Sequence, residues 1–283
     1  MIEFSFITVA LGLLSALAWG SGDFCGGQAT RRASVLPVLV IAEASGLVAL
    51  VALALYTQEP WLPFNSLLWA LAAGFAGLIG LSALYQGLSI GGAALVAPIS
   101  AILAAAVPVL FSSVTVGLPG PLQLLGFTIA LLGIWLIAGE AAGAGKGRRG
   151  LGMALIAGLG FGCYFVLIDQ AAEGGTFWPI AIARSVALAV VLPLWLARRG
   201  RGASSLGRAA LNLALVAGVL DAGGNAFYVL ASQVGRLDVA AVLASLYPAS
   251  TVLLARLVLG ERLGLRRSAG FVAVIAAIVL ISS

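Results

Sequence analysis

Residues 16–21 read Ala-Leu-Ala-Trp-Gly-Ser, and residues 158–163 read Gly-Leu-Gly-Phe-Gly-Cys. The likeness extends outward from there. Gln28-Ala29 recurs as Gln170-Ala171, and Tyr85, in a run of small residues, has a counterpart in Tyr228. The stretch from Gly126-Phe127 to Ile137 recurs from Gly270-Phe271 to Ile281. The offset drifts only from about 142 to about 144 residues. The second half of the chain therefore repeats the first. Each half carries five apolar runs, and an odd number of membrane crossings per copy forces the second copy to enter the membrane from the opposite face.

Composition supports a membrane reading. The chain is 62% hydrophobic and 9% charged, with a mean hydropathy of +1.15. A water-soluble domain needs more charge than that on its exterior. The apolar runs are long enough for helices to cross a hydrocarbon core of about 30 Å. They are continuous rather than alternating, which argues for helices over a β-barrel. The expected spans are 6–28, 35–56, 66–90, 93–116, 122–139, 151–170, 177–197, 206–233, 238–259 and 267–281. Turn formers separate them, such as Gly91-Gly92 and Glu173-Gly174-Gly175. The expected fold is thus an all-α membrane protein of ten transmembrane helices, arranged as two inverted five-helix repeats around a central cavity. The first repeat covers 1–142, a basic linker 143–150, and the second repeat 151–283. Residues 1–6 lack a basic n-region and no small-residue cleavage site follows, so the first run reads as a retained helix.

Ten spans also segregate the charges. Arg31 and Arg32, then Lys146, Arg148 and Arg149, fall on one side. So do Arg198, Arg199, Arg201 and Arg208, and Arg262, Arg266 and Arg267. The other side holds Arg236. The positive-inside rule makes the basic side cytoplasmic and both termini external. The expected location is the plasma (inner) membrane. A net charge of +5 in so apolar a chain reads as a topology signal, not a nucleic-acid site.

Several chemistries find no support. Histidine is absent and the two cysteines, Cys25 and Cys163, form no metal set, so no metal and no cofactor are expected. Gly143-Ala144-Gly145-Lys146-Gly147 has neither the spacing nor the Ser/Thr of a phosphate loop. Gly158-Leu159-Gly160 lies in a span, not at a strand-to-helix turn. Without a nucleotide site a primary pump is not expected.

Polar residues inside spans are costly and mark interior or functional positions. Asp221 lies mid-span with Asn225 four residues on, so both share a face, and Gly223 and Gly224 allow close approach. Asp23 follows Trp19 in the first span, where a carboxylate and an aromatic ring suit a cationic or zwitterionic ligand. Trp19, Tyr85, Tyr228 and Tyr247 stand as a candidate cavity lining. For each of these residues, plain packing or bundle hydrogen bonding is the competing reading. Glu43 and Arg184 occupy nearly equivalent positions of the two repeats and are expected to pair, as a structural bridge or as a gate or coupling pair. Pro248 is a candidate hinge. The pairs Gly22/Gly26, Gly87/Gly91 and Gly158/Gly162 permit close helix contact within the bundle.

Ala18-Trp19-Gly20-Ser21, Tyr247-Pro248 and Leu259-Gly260-Glu261-Arg262-Leu263 together resemble the drug/metabolite transporter superfamily, EamA type. The resemblance spans essentially the whole chain. The first repeat departs from it, with Gly117-Leu118-Pro119 in place of the Gly-Glu-Arg element. The resemblance implies a secondary transporter moving a small organic solute, an amino acid or related metabolite, outward by alternating access. Intramembrane carboxylates leave room for proton coupling. It also implies cytoplasmic termini, opposite to the arginine pattern. A channel or a membrane-embedded lipid-acting enzyme are the alternatives. The expected partners are the solute and the lipid bilayer, not nucleic acid, with a monomer expected and a homodimer as the variant.

Overall fold

The computed structural model describes residues 2–89, 93–138, 147–198, 207–260 and 264–282. Eleven helices run through them: α1 (Ile2–Thr30), α2 (Val35–Tyr56), α3 (Phe64–Ser89), α4 (Ala93–Thr115), α5 (Pro121–Ala138), α6 (Gly147–Ala171), α7 (Phe177–Arg198), α8 (Arg208–Val234), α9 (Leu237–Ala244), α10 (Tyr247–Leu259) and α11 (Leu265–Ile281). No strand occurs among the described residues. Helices are what an apolar chain must form in lipid, since each backbone N–H and C=O then finds a partner in its own segment. Eight stretches are long and apolar enough to cross a membrane, with Leu237–Leu259 counted as one. The apolar run Pro121–Ile137 is shorter, and α11 has 17 residues. The chain is a multi-pass membrane protein. Large apolar side chains such as Val48, Leu110 and Val272 point outward from the bundle, each 68% exposed.

The packing is reciprocal between the halves. The most extensive contacts pair α1 with α8 and α3 with α6. α2 lies on α8 as α7 lies on α3, and α4 lies on α6 as α9 and α10 lie on α1. α2 meets α7, and α5 meets α11. Particular residues repeat the relation. A methyl group on Gly126 would come 2.7 Å from Ile281 Cγ1, and one on Gly270 would come 2.7 Å from Ile137 Cγ1. Gly224 lies against the Trp19 ring as Gly80 lies against Phe161. Small residues at these crossings let the backbones approach, which is how helices associate where lipid removes the hydrophobic drive. Gly158 and Gly162 face Leu103 and Val107 of α4 in the same way, so this pair serves packing inside the bundle.

The ninth span departs from the expected single helix. It breaks at Ser245–Leu246 into α9 and α10, and Pro248 sits in the first turn of α10. Proline is tolerated there because its missing N–H would have no helical partner. The chain crosses the break on two short-range bonds, Leu246 N to Leu243 O and Ala249 N to Leu246 O. Every residue of α9 is buried. Asp238, at its start, is fully buried. Arg236 folds back onto it at 2.7 Å and also donates to Gly117 O. Gly117 and Gly260, at matching places in the repeats, both have positive φ, as helix-ending glycines do.

Glu59 ties the turn after α2 to the start of α7. Its carboxylate accepts the backbone N–H groups of Phe177 and Trp178 at 2.9–3.1 Å, capping α7 from another segment. Its carbonyl accepts Trp178 Nε1–H, and Trp61 meets Trp178 edge-on. The approach needs Gly175, where a methyl group would lie 2.5 Å from Glu59 Oε1. Glu59→Ala should therefore cost about 0.5–2 kcal/mol, the usual loss for a helix cap. A thermal melt checks this; an unchanged midpoint would show that the cap contributes nothing.

Candidate functional site

α2, α6, α7 and α8 converge on one polar network. Arg184 of α7 is at its centre, with its side chain 6% exposed. Nε lies 3.1 Å from Glu43 Oε2 and also donates to the Glu43 carbonyl. Nη2 donates to Ala42 O, and Nη1 to Asp221 Oδ2 at 2.5 Å. The guanidinium thus joins a carboxylate from each half of the chain, as its planar fork of donors allows. The two partners differ in exposure. The Glu43 side chain is 15% exposed and the Asp221 side chain 45%.

Glycine makes this convergence possible. A methyl group on Gly46 would collide with Arg184 Nε at 2.6 Å and with Gly218 O at 2.6 Å. One on Gly218 would fall 2.0 Å from Ala42 O. Ser45 ties the same crossing by donating to Leu215 O.

The network continues through Asn225, which is 7% exposed. Its Nδ2 donates to Asp221 O at 2.8 Å, and the Tyr164 hydroxyl donates to its Oδ1. Asn225 is thus bonded to both Asp221 and Tyr164 and exposes little surface. Repeat symmetry fails at this point. Tyr164 stands at the position of Gly22 and, in the register that matches Gly80 with Gly224, Asp221 stands at that of Gly77. Gly22 packs on the Asp221 backbone, while Gly77 packs on the Tyr164 ring. The same crossing thus carries the polar side chain on α8 in one copy and on α6 in the other. Both polar groups reach the same network.

Asp23 of α1 is exposed, within electrostatic range of Asp221 and Tyr247. It has no hydrogen-bond or ion-pair partner among the described residues. Trp19, one turn earlier, stacks on Phe165 at 5.5 Å and on Tyr228 at 6.1 Å, and meets Tyr247 edge-on at 6.4 Å. Tyr228 is fully buried and its hydroxyl donates to Phe165 O. Its ring packs on Trp19 and Phe165. Trp19 and Tyr247 remain partly exposed. The Tyr85 side chain lies outside the described residues, as do Glu261 and Arg262. Tyr164, Ser45 and the Ala42 and Glu43 carbonyls join the network without a strong sequence signal. The one available clue was the mismatch of Tyr164 with Gly22 in the repeat alignment. No group of His, Cys, Asp and Glu suited to a metal occurs among the described residues.

A helical bundle with apolar flanks, reciprocal halves and charged side chains near mid-helix defines a polytopic membrane protein with an interior polar site. The chain belongs to the EamA-like transporter family, which matches residues 6–139 and again residues 148–283. Each half thus carries its own copy of the family's pattern. A crystal structure of another protein shares the fold, with a TM-score of 0.75 and 19% identity over 96% of this chain and 95% of that one. Comparison with curated proteins gives no significant match.

Proposed function

We propose that the chain is a secondary transporter that carries a small organic solute, an amino acid or related metabolite, outward across the plasma (inner) membrane. The two halves, 1–142 and 151–283, act as inverted repeats joined by 143–150, and rock against one another about a central site. The basic loops face the cytoplasm. The observation that carries this reading is the half-exposed Asp221 carboxylate, held by a buried arginine that bonds both halves at once. A carrier needs a site that any relative motion of its halves will alter, and Arg184 is bonded across that divide. The pair Glu43 and Arg184 serves as the coupling element, and the break before Pro248 as the hinge. The open carboxylates Asp23 and Asp221 provide a place for a proton to accompany the solute.

Purified protein in proteoliposomes should take up its solute with saturation. Flux that rises linearly with concentration would overturn the carrier reading in favour of a channel. A ligand that binds the folded form also raises its melting temperature by mass action. A screen of amino acids, amines, sugars and nucleosides should find such a ligand, and Asp221→Asn should remove most of its stabilising effect. Full stabilisation in Asp221→Asn would move the site elsewhere.

A further inference from the structure

Asn225 has neighbours of two kinds. Toward Asp221 it meets only acceptors, the Asp221 carbonyl at 2.8 Å and Asp221 Oδ2 at 3.4 Å. Its NH2 group must turn that way, because an amide oxygen would face two further oxygens. The amide oxygen then faces Tyr164, whose hydroxyl donates to it. The Asp221 oxygens therefore set the orientation of this buried amide, and the Tyr164 hydroxyl holds it from the other end by donating to Oδ1.

The consequence falls on Asp221. Its Oδ2 is occupied by Arg184 Nη1 and Asn225 Nδ2. Its Oδ1 has no partner among the described residues, although the side chain is 45% exposed. One acceptor atom is left open at a fixed place. Asp23 lies within electrostatic range on α1 and is also without a bonded partner among the described residues. The nearest cation, Arg184, already serves Glu43, Asp221 and two backbone carbonyls. The open face thus offers acceptors and negative charge. Inside a membrane protein such a face is completed by a cation that carries N–H donors.

We propose that Tyr164, acting through Asn225, is a positioning residue that aims Asp221 Oδ1 at a protonated amine, and that solutes are recognised by that amine. The inference rests on the transporter reading and names the solute class for the same site. Anionic solutes meet two carboxylates and an arginine already engaged, so they are rejected. A quaternary ammonium supplies charge without an N–H donor and binds less tightly than a primary amine. Tyr164→Phe keeps the ring on Gly77 and removes only the hydroxyl. The Asn225 amide oxygen then loses its donor, the amide is held from the Asp221 side alone, and Asp221 is aimed less firmly.

The test uses the purified full-length protein in detergent with three probes: benzylamine, its N,N,N-trimethyl derivative and benzoate. Binding is read by thermal shift and by calorimetry. Benzylamine should bind, the trimethyl derivative several-fold more weakly, and benzoate not at all. Tyr164→Phe should weaken benzylamine about tenfold, equivalent to about 1.4 kcal/mol. Asn225→Ala should do the same, and adding Tyr164→Phe to it should bring no further loss, because residues acting as one unit are not additive. Benzoate binding as well as benzylamine would overturn the inference, as would an unchanged Kd in Tyr164→Phe or losses that simply add. Saturable uptake of solutes that lack an amine would overturn it while leaving the transporter reading intact. Absence of saturable uptake for any solute would instead sink the reading on which it rests.

Discussion

Replacing Arg184 with methionine is expected to destabilise the protein by about 3–5 kcal/mol, the usual penalty for stripping one partner from a buried charge pair. Glu43 would be left 15% exposed with no cation against it. The Ala42 and Glu43 carbonyls would lose the donors that hold them. Asp221 would lose its partner too, but its side chain is 45% exposed and water softens that loss. Most of the penalty therefore arises at Glu43, which gives the prediction a second arm. The double variant Glu43→Gln with Arg184→Met should be more stable than Arg184→Met alone, because the stranded charge is gone. Thermal or denaturant unfolding of the purified variants reads both arms. A double variant less stable than the single would mean that the charge on Glu43 is not what Arg184 compensates.

Gly218→Val is expected to have the next largest effect. A β-carbon there would lie 2.0 Å from Ala42 O and 2.2 Å from Ser45 Oγ. Ala42 O is backbone and already accepts Arg184 Nη2, so it cannot withdraw without breaking the network. Overpacking of a tight contact costs about 1–3 kcal/mol and occasionally more, and this site belongs at or above the upper end. Gly223→Ala supplies the control on the same helix. Nothing lies within 4 Å of a β-carbon at Gly223, so that variant should melt at or slightly above the wild-type temperature. Equal losses in the two variants would show that helix α8 resists any side chain in this stretch, and that the α2–α8 crossing is not special.

The helical frame was readable because lipid leaves the chain few choices. Long apolar runs must be helices, and their ends fell within a few residues of the turn formers that separate them. Glu43 and Arg184 were readable as partners because the repeat offset places them at matching depths and each is expensive alone. The rest depended on distances that periodicity does not carry. In the sequence Tyr164 is one aromatic among several, and only the reach of its hydroxyl from α6 to Asn225 on α8 joins it to the network. Tyr228 shared the pattern of a cavity tyrosine but is turned into the aromatic cluster, because Phe165 O offers its hydroxyl a partner there. Tyr247-Pro248 signalled irregularity without revealing that the chain would stop, turn and restart. The burial of Asp238 under Arg236 carried no sequence signal. Glu59 carried no signal, since its partners lie more than a hundred residues away in sequence.

In the proposed carrier one interior site, lined by Asp23 and Asp221, is served from both faces of the membrane in turn. Asp23 is the position to probe, because it makes no bond among the described residues whose loss would disturb the bundle. Cys25 and Cys163 are first replaced by alanine, and Asp23→Cys is then introduced and reconstituted in oriented vesicles. A membrane-impermeant thiol reagent is applied from one side or the other. Labelling from either side is expected. Labelling from one side alone, or from neither, would contradict the carrier reading.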